Sequence, residues 1–495
     1  MAKVIMLQGT MSNVGKSLLT AALCRIFGED GYRAAPFKSQ NMALNSYVTE
    51  DGLEIGRAQA MQAQAAGLEP SVLMNPILLK PTSDTGSQVI LRGRPIGNMT
   101  ASEYFRRKKD FFPEVISAFE ELSKSADIIV IEGAGSPAEL NLKADDIVNM
   151  GLAKALNAPV LLIGDIDRGG VFAQLLGTLE LLDPDEREFV RGLIVNKFRG
   201  DRSIFSDGVE ILEKRGKCPV AGVVPFIRCD IEDEDSLSDK LDRTEKRGLI
   251  DIAAIRSPRI SNFTDLDVFG RYPDVSVRFV SQAEELFKFG GPDLIVIPGT
   301  KSTISDMKFL RESGLESEIK KAASLGVPIF GICGGYQMLG ETISDPEGID
   351  GGKIGGSIRG MGLLNVKTVF SNEKKLARTK GRFSDISGVF SAFSGLEYEG
   401  YEIHMGVTES TEPPLLENSG GAFRNNVYGC YVHGIFDSDE VSAALVKLLC
   451  ERRGVEFTKA REPHREYKER QFDILANEVR KSLDMEFIYK ILKCT

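Results

Sequence analysis

The sequence predicts an α/β protein built from two successive parallel-sheet units. Three observations carry that reading. The apolar run Val4-Ile5-Met6-Leu7 leads into a glycine loop, Gly9-Thr10-Met11-Ser12-Asn13-Val14-Gly15-Lys16-Ser17, and then into an apolar helical pattern. Far downstream, Val327-Pro328-Ile329-Phe330-Gly331-Ile332 leads into Cys333-Gly334-Gly335-Tyr336-Gln337, a second strand-to-helix turn with a thiol at its apex. Between and around them, short β-branched runs alternate with longer helical patterns, the signature of parallel strands covered on both faces.

In the first unit the strand candidates are 3–8, 33–37, 88–91, 127–131, 159–164, 191–196 and 219–224. Several end in Gly or an acidic residue, as in Ile131-Glu132-Gly133 and Ile163-Gly164-Asp165. Ligands of such sheets lie beyond the carboxyl ends of the strands, where these polar residues fall. The unit is expected to span 1–231. A charged, apolar-poor stretch from Glu232 to Gly248 reads as a solvated linker. The second series (250–255, 275–280, 293–297, 327–332) opens a unit expected over 249–445. From about 354 its glycine-rich, alternating segments predict β-structure that returns to the core at Val427–His433. The last part, 446–495, is expected to be a helical extension.

Composition sets outer limits. At 495 residues the chain has room for two to four domains, and its apolar and charged fractions are ordinary for globular proteins. A net charge of −10 argues against a general nucleic-acid binder. The seven cysteines are scattered without a CxxC pair or zinc spacing, which predicts reduced thiols. No signal-peptide pattern or run of about 20 apolar residues is visible. A soluble, cytoplasmic protein without a membrane partner is expected; the oligomeric state is left open.

The first glycine loop has the context of a phosphate cradle: strand before, helix after. It has five residues between its glycines, not four. Thr10, Asn13, Val14, Gly15, Lys16 and Ser17 are the candidate ATP-binding residues, with Lys16 reaching phosphate and the Ser17 hydroxyl a candidate magnesium ligand. An ordinary glycine turn is the competing reading.

The second turn is a candidate nucleophile elbow. Buried cysteines beside apolar strands are usually inert. Here flanking glycines permit a strained turn that presents sulfur at a helix start, where thiolate is favoured. The N–H of Gly334 is placed to donate to an oxyanion. Of the three histidines, 404, 433 and 464, His433 ends an apolar run and is the candidate base. His404 is the competitor, expected to pack or bind beside the site. Position 435, two residues on, is Ile435 and cannot orient an imidazole. A nucleotide site plus a thiol and a distant histidine predicts an enzyme that makes ammonia and spends ATP to attach it.

The long glycine loop resembles that of the dethiobiotin synthetase-like branch of P-loop proteins, which activate carboxylates with ATP. By that resemblance Glu132 is the magnesium-binding acid. The thiol elbow and His433 resemble a class I glutamine amidotransferase, and the absence of a His-x-Glu pair resembles its corrinoid-amidating subgroup. The blocks Ala35–Ser46, Gly56–Ala60, Met74–Pro81, Gly164–Ala173 and Val195–Asp201 are similar to the cobyric acid synthase family of glutamine-hydrolysing ligases. The similarity spans essentially the whole chain. It implies use of L-glutamine, ATP and Mg2+ to amidate adenosylcobyrinic acid a,c-diamide at its b, d, e and g carboxylates in cobalamin biosynthesis. It also makes Lys38, Gln40 and Asn41 candidate corrinoid contacts. Two alternatives stay open: a sister enzyme acting on the a and c carboxylates, and a nucleotide-dependent binding protein with an inactive amidotransferase domain. Arg106-Arg107-Lys108-Lys109 reads as a solvated helix face.

Overall fold

A computed structural model of the chain describes residues 2–82, 86–231, 241, 245–246, 248–350 and 355–493. The first sheet has six strands, in the order Val220–Pro225, Val190–Phe198, Val160–Asp165, Lys3–Gly9, Ile128–Glu132 and Ala34–Phe37. All its pairings are parallel. The period of two along each strand feeds two separate cores. Val4 and Met6 join Ile129, Ile131 and Leu162 on one face, beneath Val115 and Phe119 of the helix Ala101–Leu122. Ile5 and Leu7 join Val130, Leu161 and Ile163 on the other, against Leu19, Leu23 and Phe27 of the helix Lys16–Glu29. Burying each such side chain contributes about 1.5–3 kcal/mol, so strands without a polar face are stable only in this covered position.

The run 88–91, expected among these strands, belongs elsewhere. It lies in Gly86–Leu91, within a four-stranded sheet that also holds Gln40–Met42, Ile77–Pro81 and Arg94–Thr100. Its pairings with both neighbours are antiparallel. A four-residue apolar run carries no information about which sheet will bury it.

The second large sheet runs Val275–Val280, Ile250–Ile255, Leu294–Ile297, Ile329–Ile332, Val427–Cys430 and Ala422–Arg424, with only the last pairing antiparallel. Beside it stands a five-stranded sheet whose longest members are Val366–Arg382 and Glu397–Ser410, ending in Val432–His433. The chain therefore leaves the large sheet at Cys430 and enters the smaller one at Val432. His433 sits just past this crossing.

The helix Asp439–Arg453 runs through the boundary expected at 445/446 and buries Val441, Leu445 and Leu449 in the second core. The helices His464–Ser482 and Met485–Lys493 return to the first half. Phe472, Leu475, Val479 and Ile491 complete the layer over its sheet, and Arg25 pairs with Asp473 at 2.6 Å. Of the stretch expected to be a linker, 232–240, 242–244 and 247 lie outside the described residues. Leu241 is buried in the second core. Among the described residues no helix is long and apolar enough to cross a membrane. Residues 106–109 lie on the helix Ala101–Leu122, with Arg106, Arg107 and Lys109 at or near its solvent face and Lys108 over the Phe105 ring.

Candidate functional site

The glycine loop joins the end of the Lys3–Gly9 strand to the helix that begins at Lys16. Gly15 takes a left-handed backbone, φ +96°, and a Cβ there would lie 2.3 Å from the Asn196 amide nitrogen. That amide donates to the Val14 carbonyl at 2.7 Å and pins the loop to the Val190–Phe198 strand, next but one in the sheet. Lys197 ties the same loop from the other side, pairing with Asp165 at 3.0 Å and donating to the Asn13 carbonyl at 2.6 Å. Thr10 donates to Gln174 at 3.2 Å. Lys16 folds back over the loop, donating to the Met11 and Gly135 carbonyls at 3.1 and 3.3 Å. All six candidate nucleotide residues thus lie on one loop and its helix start.

Glu132, at the end of the adjacent strand, faces this loop. Its carboxylate accepts from Ser17 at 2.9 Å, from Lys38 at 2.8 Å and from Gln62 at 2.6 Å. The buried oxygen Oε1 of Gln62 has no partner in this arrangement. Magnesium at a phosphate site keeps several waters and needs only one or two protein ligands, so the Ser17 hydroxyl and Glu132 fit such an ion. Among the described residues no group of three or more His, Cys, Asp or Glu side chains is arranged to hold a metal by itself.

The segment after Lys38 divides its side chains. Lys38 is turned inward onto Glu132 at the phosphate loop. Asn41 is buried and gives its amide to Gln59 at 2.9 Å. Gln40 is half-buried and accepts from the Tyr104 hydroxyl at 2.6 Å.

In the second half, Cys333 caps the short helix Gly334–Leu339 with φ +53° and ψ −109°. Such a backbone costs about 1–3 kcal/mol for a residue with a Cβ and persists only where its surroundings enforce it. Here Gly335 makes the enforcement possible: a Cβ on it would stand 1.8 Å from the Ile297 carbonyl oxygen. The Cys333 N–H donates to the Cys430 carbonyl at 2.8 Å, and the thiol lies 3.6 Å from the Ile403 carbonyl oxygen. The N–H of Gly334 follows the sulfur directly, the position of an oxyanion donor.

His433 is fully buried and lines the same cavity as Cys333. Its ring nitrogen Nδ1 is 2.7 Å from Asp265, whose second oxygen accepts from the Gly434 N–H at 2.8 Å. Burial alone would lower the imidazole pKa, but the charge and hydrogen bond of Asp265, together with Cys333, hold it up at about 10. Imidazolium is therefore the favoured form of His433. Asp265 supplies the orienting group that Ile435 cannot. Sequence reasoning missed it because it lies on a largely buried 3-10 helix, Phe263–Arg271, that carries no catalytic spacing. Ile435 itself is buried in the second core.

His404 is held away from the chemistry. Its nitrogens meet Glu402 at 3.1 Å and the Gly406 carbonyl at 2.8 Å, and its ring stacks on Tyr431. It lines the cavity that contains Cys333 and His433, beside the site. Across that cavity the two halves meet through buried charges: Lys80 and Glu54 from the first, Lys301 and Lys374 from the second. Burial would raise the Glu54 carboxyl, but Lys374 and Lys80 pull it down to about 2. Burial and those two lysines push Lys301 down, and burial pushes Asp350 up.

Comparison with known proteins agrees with this geometry. Residues 5–237 match the model of the CobQ/CobB/MinD/ParA nucleotide binding domain, and residues 251–441 that of the CobB/CobQ-like glutamine amidotransferase domain. Over the whole chain the protein is 56% identical to a cobyric acid synthase of Ruminiclostridium cellulolyticum, covering 98% of that protein. It is 54% identical to one of Lachnoclostridium phytofermentans, covering all of this chain and 99% of the relative. A third, from Caldanaerobacter subterraneus, is 47% identical with the same two coverages. The chain belongs to the cobyric acid synthase family.

Proposed function

We propose that this protein uses ATP and L-glutamine to amidate adenosylcobyrinic acid a,c-diamide at its b, d, e and g carboxylates, giving adenosylcobyric acid in cobalamin biosynthesis. The observation that carries the reading is the pairing of a Cys333–His433–Asp265 constellation with a phosphate loop facing Glu132 in one chain.

Each half solves one chemical problem. In the second, the Cys333 thiolate attacks the glutamine amide carbon and the Gly334 N–H donates to the oxyanion. The His433 imidazolium gives its proton to the departing nitrogen, so ammonia leaves and a thioester remains. Water activated by the now neutral imidazole attacks the thioester, releasing glutamate and regenerating the thiolate. Asp265 holds the ring in the required tautomer throughout.

In the first half a corrinoid carboxylate attacks the terminal phosphorus of ATP, forming an acyl phosphate and ADP. Lys16 offsets charge on the transferred group and the loop fixes its position. Ser17 and Glu132 would hold Mg2+, which supplies charge neutralisation on the phosphates. Ammonia then adds to the acyl phosphate and phosphate departs, leaving the amide. Gln40 and Asn41 lie on the strand that follows Lys38, and we assign them to the corrinoid side.

The test is incubation with glutamine, Mg-ATP and the a,c-diamide, following product mass. Four successive additions, each replacing OH by NH2, are expected. Modification of cobyrinic acid itself at two positions, with the a,c-diamide untouched, would overturn the substrate assignment.

A further inference from the structure

The glutaminase side chains belong to the second half, yet the turn that carries Asp265 is held from the first. Asn262, with φ +53°, starts that turn, and its carbonyl accepts from the Asp265 N–H at 3.2 Å. Both polar groups of Asn262 that face the other half are used there. Its N–H donates to the Asn45 side-chain oxygen at 2.7 Å, and its own side-chain oxygen accepts from the Ser46 N–H at 3.0 Å. All three residues are at most 2% exposed, so water does not substitute for these bonds. The Asn45 carbonyl is fixed in turn by the Arg57 N–H at 3.2 Å.

A second contact reaches His433 from the same place. Tyr401 pairs with His433 across the smaller sheet and its ring lies over the imidazole, with centroids 5.3 Å apart and planes at 24°. Its hydroxyl donates to the Ser46 carbonyl at 3.2 Å. Asp265 behind the imidazole and Tyr401 over it are thus both braced against residues 45–46. That segment begins, seven residues earlier, at Lys38, whose ammonium sits on Glu132 beside the phosphate loop.

We propose that the Asn45–Ser46 segment of the nucleotide half completes the glutaminase site, Asn45 acting as a positioning residue through Asn262 and Asp265, and Ser46 through Tyr401. Glutamine hydrolysis then depends on where the nucleotide half holds this segment, which ties ammonia release to the state of the site that consumes it. The inference rests on the assignment of Cys333, His433 and Asp265 to glutamine hydrolysis made above.

The experiment measures steady-state glutaminase activity and ammonia-dependent amidation on the full chain, wild type beside Asn45→Ala, Asn45→Asp and Tyr401→Phe. Asn45→Ala removes the acceptor for the Asn262 N–H, so kcat for glutamine should fall about tenfold or more while KM stays within about twofold. Amidation from supplied ammonia should be unchanged. Asn45→Asp keeps the acceptor oxygen and should recover most of kcat. Tyr401→Phe keeps the ring over His433 but loses the bond to Ser46 and should lower kcat in the same sense. If Asn45→Ala does not fold, Asn262→Gly, which keeps the left-handed backbone without the side-chain oxygen, replaces it with the same expectation. Wild-type kcat in the variant, or a rise in KM alone, overturns the inference. Cys333→Ser run alongside separates the two levels: if it stops hydrolysis while Asn45→Ala does not slow it, only the cross-domain role fails. If hydrolysis persists in Cys333→Ser, the underlying site assignment fails and this inference with it.

Discussion

His433 is oriented by Asp265, 2.7 Å from its Nδ1, across 168 positions of chain and from a different element. The usual arrangement, an acid two residues along the histidine's own strand, is replaced here by a buried carboxylate on a turn that precedes the elbow strand. The same aspartate accepts from Gly434, so it fixes the backbone that carries the ring as well as the ring itself.

Asp265→Asn should therefore leave the fold intact and lower glutamine hydrolysis by about a hundredfold or more, the scale of lost acid–base assistance. Ammonia-dependent amidation should be retained. The same pair carries a pH signature. Because the His433 pKa is raised in the folded protein, its stabilisation is fully present below the unfolded value of about 6.5. It is lost as pH rises through about 10. The difference in thermal stability between wild type and Asp265→Asn should be larger at pH 6 than at pH 10. Equal differences at both would remove the charge argument.

Cys333→Ser should abolish glutamine-dependent amidation and spare amidation with supplied ammonia. The hydroxyl cannot supply a thiolate, while the phosphate loop and Glu132 are untouched. Parallel loss of both activities would count against two separate chemical sites.

Both chemistries were legible in the sequence because each depends on a local pattern: glycines at a strand-to-helix turn with a reactive side chain at a fixed offset. Gly15 and Gly335 show why such patterns survive, since a Cβ at either would strike Asn196 or Ile297. What could not be read was anything assembled from distant segments. Asp265 and Asn262 sit in a stretch whose polar residues look like those of any surface loop, and only the fold reveals that they are buried. The return of Phe472 and Val479 to the first sheet is similarly hidden, because an amphipathic helix does not name the face it will cover. Lys38 was readable as a polar residue near a ligand; its pairing with Glu132 needed the register of two strands, in which Phe37 lies beside Ile131.

Lys16→Ala should have the opposite profile to Cys333→Ser. Its ammonium lies over the glycine loop, where it offsets charge on the transferred phosphate. Product formation should fail with either glutamine or ammonia as donor. Near-normal ammonia-dependent amidation in this variant would displace the nucleotide site from the loop.

Glu54 is buried between Lys80, at 2.9 Å, and Lys374 from the other half. Glu54→Gln removes a carboxylate that pairs with both lysines and leaves two buried ammonium groups facing each other. Breaking a buried pair from one side typically costs about 3–5 kcal/mol. A lowered melting temperature is expected, partly recovered by Lys374→Met in the same chain, which removes one of the stranded charges. An unchanged melting temperature in Glu54→Gln would show that the lysines are already neutral or hydrated.

The last prediction concerns Ile435, which stands where an orienting acid would be expected. With Asp265 in that role, the side chain at 435 serves packing: it is fully buried in the second core. Ile435→Ala should cost about 2–5 kcal/mol of stability through lost burial and the cavity left behind. Glutaminase kcat should stay within about tenfold of wild type at a temperature where the protein is folded. His433→Ala should lose about a hundredfold or more in hydrolysis, and because it strands the buried Asp265 carboxylate it should lower stability as well. His404→Ala is the control between them. Held by Glu402 and Gly406 beside the cavity, it should raise KM for glutamine more than it lowers kcat. If His404→Ala instead prevents thioester formation and His433→Ala permits it, the base is His404, and the Asp265–His433 pair is a structural ion pair.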